Sequence, residues 1–267
     1  MIGRQFEKIR RTIWTFKQPL TRHPKQTDAQ VSDLFVWRNS DEWQTYFELL
    51  DIPGLFAERK GQAGAKVRFV FFDLGGGRVG EANLDVVPAK RQTVSLANLL
   101  PPSAGVMGTF CVLHATTPTE ISQLGSFIAE RGYVSYSYSD APLRAYVHGN
   151  LDAIALLSGQ KLELLGAVSM LQREYRLQCY CDEDATYEFA LVNPTPRRQK
   201  VNFSVVSIDS GGTIERKEIE LAPGGADAFC PRVSEPVPFR LIIKSHLVMA
   251  RPLVFRIKNS QLDVFHG

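Results

Sequence analysis

The segment RGYVSYSYSDAPLRAYVHGNLD, residues 131–152, holds the densest group of side chains that could do chemistry. Tyrosine and serine together form rigid yet adaptable recognition surfaces. Sugars suit such surfaces, because their apolar faces stack on aromatic rings while their hydroxyls need polar partners. The segment therefore predicts a surface that binds a glycan or a protein partner. The candidate ligand-binding residues are Tyr136, Tyr138, Arg144, Tyr146, His148, Asn150 and Asp152.

The sequence leaves three arrangements of this segment open. On a strand, Tyr136 and Tyr138 share a face while Tyr133 points the other way. A lectin-like module therefore predicts the first two rings side by side on an exposed platform. An ordinary strand predicts only that one set is half-buried and the other faces water. An enzyme predicts a closed pocket in which His148 is a base oriented by Asp152, although no G-x-S-x-G nucleophile motif is present.

Residues 75–80, GGGRVG, match the G-x-G-x-x-G spacing of dinucleotide-binding loops. Such a site needs a helix after the glycines, because the helix N-terminus faces the pyrophosphate. Here the glycines are followed by EANLDVVP, which alternates in polarity and stops at a proline, as a strand does. Glycines between two strands supply the positive φ of a hairpin turn. The sequence therefore predicts a hairpin and no cofactor.

The cysteines do not predict a metal site. Cys179 and Cys181 would share one face of a strand, and three acidic residues follow them. Zinc sites are marked instead by paired C-x-x-C motifs or by histidines at metal spacing. Unpaired cysteine commonly packs as a small hydrophobe, so we expect free thiols and no metal.

From Val67 onward the chain is dominated by short segments rich in β-branched and aromatic residues and bounded by Gly, Pro, Asn or Asp. These segments are VRFVFF, RQTVSL, GTFCVL, YEFALV, VNFSVV, KEIEL and FRLIIK. Such segments at this spacing are typical of β-sandwiches. The sequence therefore predicts a mainly β protein.

Two blocks of sequence recur in the same order, which indicates an internal repeat. Residues 41–53, DEWQTYFELLDIP, lie over 182–194, DEDATYEFALVNP, with six of thirteen positions identical. The block GGRVGEANLDVVP lies over GGTIERKEIELAP and shares its Gly-Gly pair and closing proline. The blocks predict two related, duplicated antiparallel β-sandwich modules, in residues 31–165 and 166–267.

A short helical insertion is expected in the first module. Thr117 can cap a helix, Pro118 fits its first position, and Glu120 completes a capping box. Gly132 is placed to end the helix. Its apolar stripe would be Ile121, Leu124, Phe127 and Ile128.

The block FALVNPTPRRQKVNFSVVSIDSGGTIERKEIELAPGGADAF, residues 189–229, resembles immunoglobulin-like β-sandwich modules of bacterial proteins. It has an N-P-[ST] turn before a strand, a D-x-G turn after it, and a Pro-Gly turn that closes the next strand. Sensory rhodopsin transducer proteins use a similar sandwich. The resemblance covers about the last third of the chain. It implies this fold and a binding or scaffolding role, and it carries no catalytic residues.

Residues 1–30 predict a basic amphipathic helix and a linker. Residues 1–26 carry seven Lys or Arg against one acid, and on a helix over residues 2–18 the apolar side chains fall on one face. Such a helix can lie at an anionic membrane surface, dock on the chain's own core, or form a coiled coil between subunits. A nucleic-acid arm is disfavoured, because it needs no apolar face. The candidate membrane- or partner-binding residues are Ile2, Phe6, Ile9, Arg10, Ile13, Trp14, Phe16 and Lys17.

The function predicted from these patterns is a non-catalytic binding or scaffold protein for a glycan or protein partner. The 267 residues contain no recognisable secretory signal or membrane-spanning run, which favours a cytoplasmic protein, free or peripheral at the inner membrane. One alternative is an enzyme that acts on a sugar or small polar substrate in the region from Tyr133 to Asp152. Another is a structural homo-oligomer assembled through residues 2–18.

Overall fold

The computed structural model describes residues 29–56, 66–88, 90–114, 129–139, 141–149, 151–157, 161–181, 185–233 and 237–267. These residues form twenty β-strands, one short helix, α1 (Ile52–Phe56), and a 3-10 turn at Leu96–Asn98. The prediction of a mainly β protein is confirmed. The predicted N-terminal helix and the predicted helical insertion after Thr117 lie outside the described residues. In the described ranges, no helix is long and apolar enough to cross a membrane.

Eight strands form a first sandwich of two antiparallel four-stranded sheets. They are β2 (Phe35–Arg38), β3 (Trp43–Leu50), β4 (Lys66–Asp73), β5 (Arg78–Asp85), β6 (Arg91–Ser95), β7 (Met107–His114), β9 (Tyr133–Tyr138) and β10 (Ala145–His148). The sheet orders are β2-β7-β4-β5 and β10-β9-β3-β6. Between the sheets the ring of Phe47 packs edge-on against Phe69 and Phe110, at centroid distances of 5.7 and 5.9 Å. Burial of each such ring stabilises the fold by about 1.5–3 kcal/mol.

The last eight strands form a second sandwich with the same strand order. They are β13 (Val168–Cys181), β14 (Ala185–Val192), β15 (Gln199–Ser207), β16 (Thr213–Leu221), β17 (Ala226–Phe229), β18 (Val237–Leu247), β19 (Leu253–Lys258) and β20 (Gln261–His266). Its sheets run β13-β18-β15-β16 and β20-β19-β14-β17. Counted along the chain, each of these eight strands takes the position that its counterpart takes in the first sandwich.

One of the two repeated sequence blocks falls on equivalent hairpins of the two sandwiches, and the other is out of register. The Gly-Gly blocks occupy equivalent hairpins, β4–β5 and β15–β16, and Gly76 and Gly211 both have positive φ, 76° and 68°. In the other block, the ungapped alignment pairs residues that face the core with residues that face away from it. It places Phe47, which points into the first core, over Glu188, which points away from the second core, whereas Phe189 points into it. A shift of one residue reverses every side chain on a strand.

A small cover sheet lies over the first sandwich. Its strands are β1 (Gln30–Ser32), β8 (Ala129–Glu130), β11 (Ile154–Leu157) and β12 (Lys161–Leu164), in the order β12-β11-β1-β8. Ile154 and Leu156 pack on Val70, Cys111 and Leu113 of the β2-β7-β4-β5 sheet. That sheet is therefore buried on both faces, which explains why every residue of β7 is buried.

The second sandwich packs on the first through the outer face of its β20-β19-β14-β17 sheet. The ring of Phe255 lies 5.0 Å from Tyr136 and 5.3 Å from Trp43 of the first sandwich. Arg38 pairs with Glu188 across this seam at 2.6 Å, and its guanidinium lies 3.9 Å from the Trp43 ring centroid. Residues of both sandwiches therefore form one continuous apolar cluster.

The glycine-rich turn between β4 and β5 meets the turn 223–225 of the second sandwich. The main-chain N–H of Ala226 donates to the carbonyl of Leu74 at 3.2 Å. A Cβ on Gly76 would lie 2.0 Å from the carbonyl oxygen of Pro223, and a Cβ on Gly225 would lie 2.2 Å from that of Leu74. The prediction of a hairpin is confirmed, and its glycines allow two backbones to approach closely at the seam.

Candidate functional site

The outer face of the β10-β9-β3-β6 sheet carries a group of aromatic and polar side chains. Residues directly opposite on antiparallel strands share a face. Ser135 lies opposite both Tyr46 and Tyr146, and Tyr133 lies opposite both Glu48 and His148. We define the tyrosine face as this outward set together with the adjoining Arg144. Its members are Gln44, Tyr46, Glu48, Thr93, Tyr133, Ser135, Ser137, Arg144, Tyr146 and His148.

Tyr136 and Tyr138 point the other way, into the sandwich. Tyr136 is fully buried, its hydroxyl donates to the carbonyl of Val36 at 2.8 Å, and burial raises its pKa above the ordinary value. Tyr138 is half-buried, with its ring 4.8 Å from that of Trp43. The exposed platform predicted from these two rings is therefore not formed. They do share a face, as expected, but it is the inward one.

Three other tyrosines stand on the outward side. Tyr133 and Tyr146 are 51% and 47% exposed, and Tyr46 is partly buried with its hydroxyl donating to the side chain of Gln44. Neighbouring strands lie about 4.8 Å apart, so the backbones of Tyr46 and Tyr146, which flank β9, are roughly 10 Å apart. The rings of Tyr133 and Tyr146 are about half exposed and can contact a ligand, whereas the Arg144 guanidinium lies over the Tyr46 ring, 4.2 Å from its centroid.

The buried carboxylate of Glu48 organises the polar side of this face. Its Oε2 accepts from Arg91 Nε at 2.9 Å and from Thr93 Oγ1 at 3.0 Å. The Arg144 guanidinium lies 3.9 Å from Oε1 and 4.2 Å from the Tyr46 ring centroid. Two guanidinium groups and one carboxylate leave the cluster one positive charge. A carboxylate of which 5% is exposed keeps both arginines close to the sheet.

Ser135 lies at the centre of the tyrosine face. It is fully buried although it points outward, in the cross-strand row between Tyr46 and Tyr146. Its Oγ has no hydrogen-bond partner in the described part of the chain. Buried hydroxyls usually have a partner, so Ser135 is an exception, but its hydroxyl lies beneath the surface of the face and not on it.

His148 lies between the tyrosine face and a cavity at the seam. Its Nδ1 donates to the carbonyl of Gly149 at 2.6 Å, and its own carbonyl accepts from His266 Nε2 at 2.7 Å. The cavity has a volume of about 80 Å³, mostly apolar walls, and polar groups from Asp33, Arg251 and the two histidines. Burial lowers the pKa of His266. Ligand pockets usually span about 300–1,000 Å³, so this cavity suits a few waters.

The remaining predicted site residues are not brought together. Asp152 is buried, accepts from Arg131 Nε at 2.8 Å, and does not line the seam cavity. The pocket in which His148 and Asp152 would converge, expected for an enzyme, is not formed by these two residues. Asn150 and the eight candidate residues of the N-terminal segment lie outside the described residues.

The structure also places on this face residues that the sequence reasoning did not select, among them Tyr46, Glu48 and Ser135. The signal for the first two was present in β3. In WQTYFELL the residues Trp, Thr, Phe and Leu alternate with Gln, Tyr and Glu, a period-two pattern that separates a core face from a solvent face. Ser135 carried no such signal, because its lack of a partner is a property of the folded sheet.

The thiols lie apart from this face. Burial raises the pKa of Cys111 to about 12, and burial followed by the Glu188 charge raises that of Cys230 to about 11. Burial likewise raises the pKa of Cys179 to about 12. Within the described ranges no three His, Cys, Asp or Glu side chains are placed to hold a metal ion.

Comparison of the sequence with protein-family models and with curated proteins gives no match.

Proposed function

We propose that the protein is a non-catalytic binding protein that recognises a saccharide with its tyrosine face. The observation that carries the proposal is the outward row of Tyr46, Ser135 and Tyr146, with Tyr133 beside it on β9. Aromatic faces bind the apolar faces of sugar rings, and the surrounding amide, hydroxyl and guanidinium groups match sugar hydroxyls. Rigid tyrosines lose little side-chain entropy when they bind.

In this proposal the first sandwich binds the saccharide and the second sandwich supports the first. We take them as copies of one duplicated module, because the same eight-strand order occurs twice. In the second copy the sheet equivalent to the tyrosine face packs on the first sandwich, where Phe255 contacts Tyr136. That face is therefore occupied, and each chain has one saccharide-binding face. The second sandwich acts as a support that is fixed through the seam.

A binding experiment tests the proposal. The purified protein is screened against immobilised oligosaccharides, and the best ligands are titrated by calorimetry. We expect binding to wild type, and a loss of affinity of at least about tenfold in Tyr133→Ala/Tyr146→Ala, since each exposed aromatic anchor contributes about 1 kcal/mol or more. The control is Tyr180→Ala, which removes an equally exposed ring, 55%, from the second sandwich. Equal losses in both variants, or no binding in the screen, would contradict the proposal.

The basic segment of residues 2–18 is the proposed attachment element. The apolar face and the Lys/Arg side chains that its sequence predicts for a helix suit an anionic membrane surface, and such attachment would place the saccharide-binding face at the inner membrane. Flotation with anionic and neutral liposomes tests this, comparing the full chain with one that lacks residues 1–26. Attachment predicts flotation with anionic lipid that is lost as salt rises. A full-length protein that does not float at low salt would refute it and favour packing or homo-oligomer assembly through the segment.

A further inference from the structure

Arg144 is held in place on the tyrosine face by ring stacking and by charge. Its guanidinium stacks on the Tyr46 ring at 4.2 Å and lies 3.9 Å from Glu48 Oε1, a separation too long for a hydrogen bond. The side chain is 36% exposed. It makes no hydrogen bond to any other described residue. A planar guanidinium offers five donors in a fixed fork that fits a carboxylate.

Arg91 and Arg144 both lie beside Glu48, but only Arg91 donates a hydrogen bond to its carboxylate. Arg91 donates from Nε to Glu48 Oε2 at 2.9 Å, and the Thr93 hydroxyl donates to the same oxygen. The carboxylate is thus satisfied mainly by Arg91 and Thr93, and it holds Arg144 by charge alone. Arg144 is thus held in position while its donors make no hydrogen bond to any residue in the described ranges. Such preorganisation lowers the entropic cost of binding an anionic group.

The buried Ser135 hydroxyl lies in the same part of the face. It is opposite Tyr46, the ring on which Arg144 stacks, and its Oγ has no hydrogen-bond partner among the described residues. This hydroxyl is buried, so a ligand bound between Tyr46 and Tyr146 would meet the partly exposed guanidinium of Arg144 at the edge of the face and not the hydroxyl. The guanidinium suits a ligand group of opposite charge.

We infer that the saccharide carries a carboxylate, as uronic acids do, and that this carboxylate binds the guanidinium of Arg144. The inference rests on the proposed function and narrows its ligand class. The net positive charge of Arg91, Arg144 and Glu48 complements an anionic ligand. The carboxylate accepts two parallel N–H donors from Arg144, an arrangement that a lysine cannot provide.

Calorimetric titration of uronic-acid oligosaccharides and of their methyl esters tests the inference. The two forms have the same sugars and differ in the charge of the carboxyl groups. We expect the acids to bind wild type at least about tenfold more tightly than the esters, since hydrogen bonds between charged groups are the strong ones. The preference should weaken as salt rises, because the guanidinium is partly exposed.

Three variants assign the preference to one residue. Arg144→Gln should bind acids and esters alike, and Arg144→Lys should keep only part of the preference. Arg216→Gln, which removes an exposed arginine from the second sandwich, should behave as wild type. Urea denaturation of each variant establishes that it is folded. Sulfated oligosaccharides distinguish a carboxylate site from a general anion site, and binding them as tightly as the uronates would overturn the carboxylate assignment.

The outcomes separate this inference from the proposed function. Equal binding of acids and esters, lost in Tyr133→Ala/Tyr146→Ala, would overturn the carboxylate inference and leave the proposed function standing. A preference for acids that survives in Arg144→Gln would also overturn it. If neither acids nor esters bind and neutral oligosaccharides do, the ligand carries no carboxylate. If no saccharide binds, both proposals are wrong.

Discussion

Replacement of Gly76 by alanine tests the packing of the two sandwiches. Gly76 has a φ of 76°, and a Cβ at this position would lie 2.0 Å from the carbonyl oxygen of Pro223. The substitution therefore has two costs, a left-handed backbone with a side chain and a clash with the second sandwich. Gly211 is the matched control, because it has a φ of 68° in the equivalent hairpin and nothing within 4 Å of its Cβ position.

The expected losses in the free energy of unfolding follow from the different surroundings of Gly76 and Gly211. Gly211→Ala should lower the free energy of unfolding by about 1–2 kcal/mol, the cost of a left-handed conformation for a residue with a Cβ. Gly76→Ala should add about 1–3 kcal/mol for overpacking against Pro223. The free energy of unfolding of Gly76→Ala should fall by about 1 kcal/mol more if the turn moves and breaks the hydrogen bond from Ala226 to Leu74. We expect an excess of about 2–4 kcal/mol over the control.

Equilibrium urea denaturation measures both variants, with the fluorescence of the buried Trp37 and Trp43 as the signal. The free energies of unfolding are compared at equal m-values. A much larger loss in Gly76→Ala than in Gly211→Ala is the expected result. Equal losses would show that the glycine turn does not pack on the second sandwich in solution, and the description of the seam would be wrong.

Three further predictions concern the seam and the buried groups. Arg38→Met or Glu188→Leu alone should destabilise the fold by about 2–3 kcal/mol, because each leaves a largely buried charge unpaired, whereas the double replacement should be nearly neutral. A double-mutant cycle of urea denaturation measures the coupling between the two residues, and additive losses would contradict the prediction. Burial lowers the pKa of His266, so the unfolded state binds its proton first and stability should fall as the pH drops through about 6.5. Urea midpoints between pH 5 and 8 should show a smaller fall in His266→Gln, and identical pH profiles would refute the assignment. With thiol pKa values raised to about 12 and about 11, native Cys111 should resist maleimide at pH 8, and Cys230 should react faster in Glu188→Gln, as mass spectrometry of labelled peptides can establish.

The sequence was sufficient for the class of fold because strand patterns and turns are local. Strand segments bounded by glycine, proline and asparagine predicted a mainly β chain, and the alternation after Gly80 predicted a hairpin instead of a phosphate loop. What the glycines of this hairpin contact could not be predicted. The contact with Pro223 is between residues far apart in the chain, and no local pattern records it.

Of the predicted site residues, Tyr146, His148 and the adjoining Arg144 lie on the outward tyrosine face, whereas Tyr136 and Tyr138 point into the sandwich. Tyrosines occur at both parities in residues 133–146, so their types alone do not decide which set points outward. The pairing of β9 with β3 decides it, because Tyr136 lies opposite Thr45 and Tyr133 lies opposite Glu48. The same limit applies to the repeat. Its ungapped sequence alignment pairs Phe47 with Glu188, which points away from the second core.

Hydroxyl-radical footprinting with a bound oligosaccharide tests the central claim most directly, since it reports which side chains a ligand covers. The saccharide-binding account predicts that Tyr133 and Tyr146 become protected from oxidation when the ligand binds, and that exposed Tyr180 is oxidised as before. Protection of Tyr180 with no change at Tyr133 and Tyr146 would place the ligand on the second sandwich. That result would contradict the assignment of the tyrosine face as the binding site.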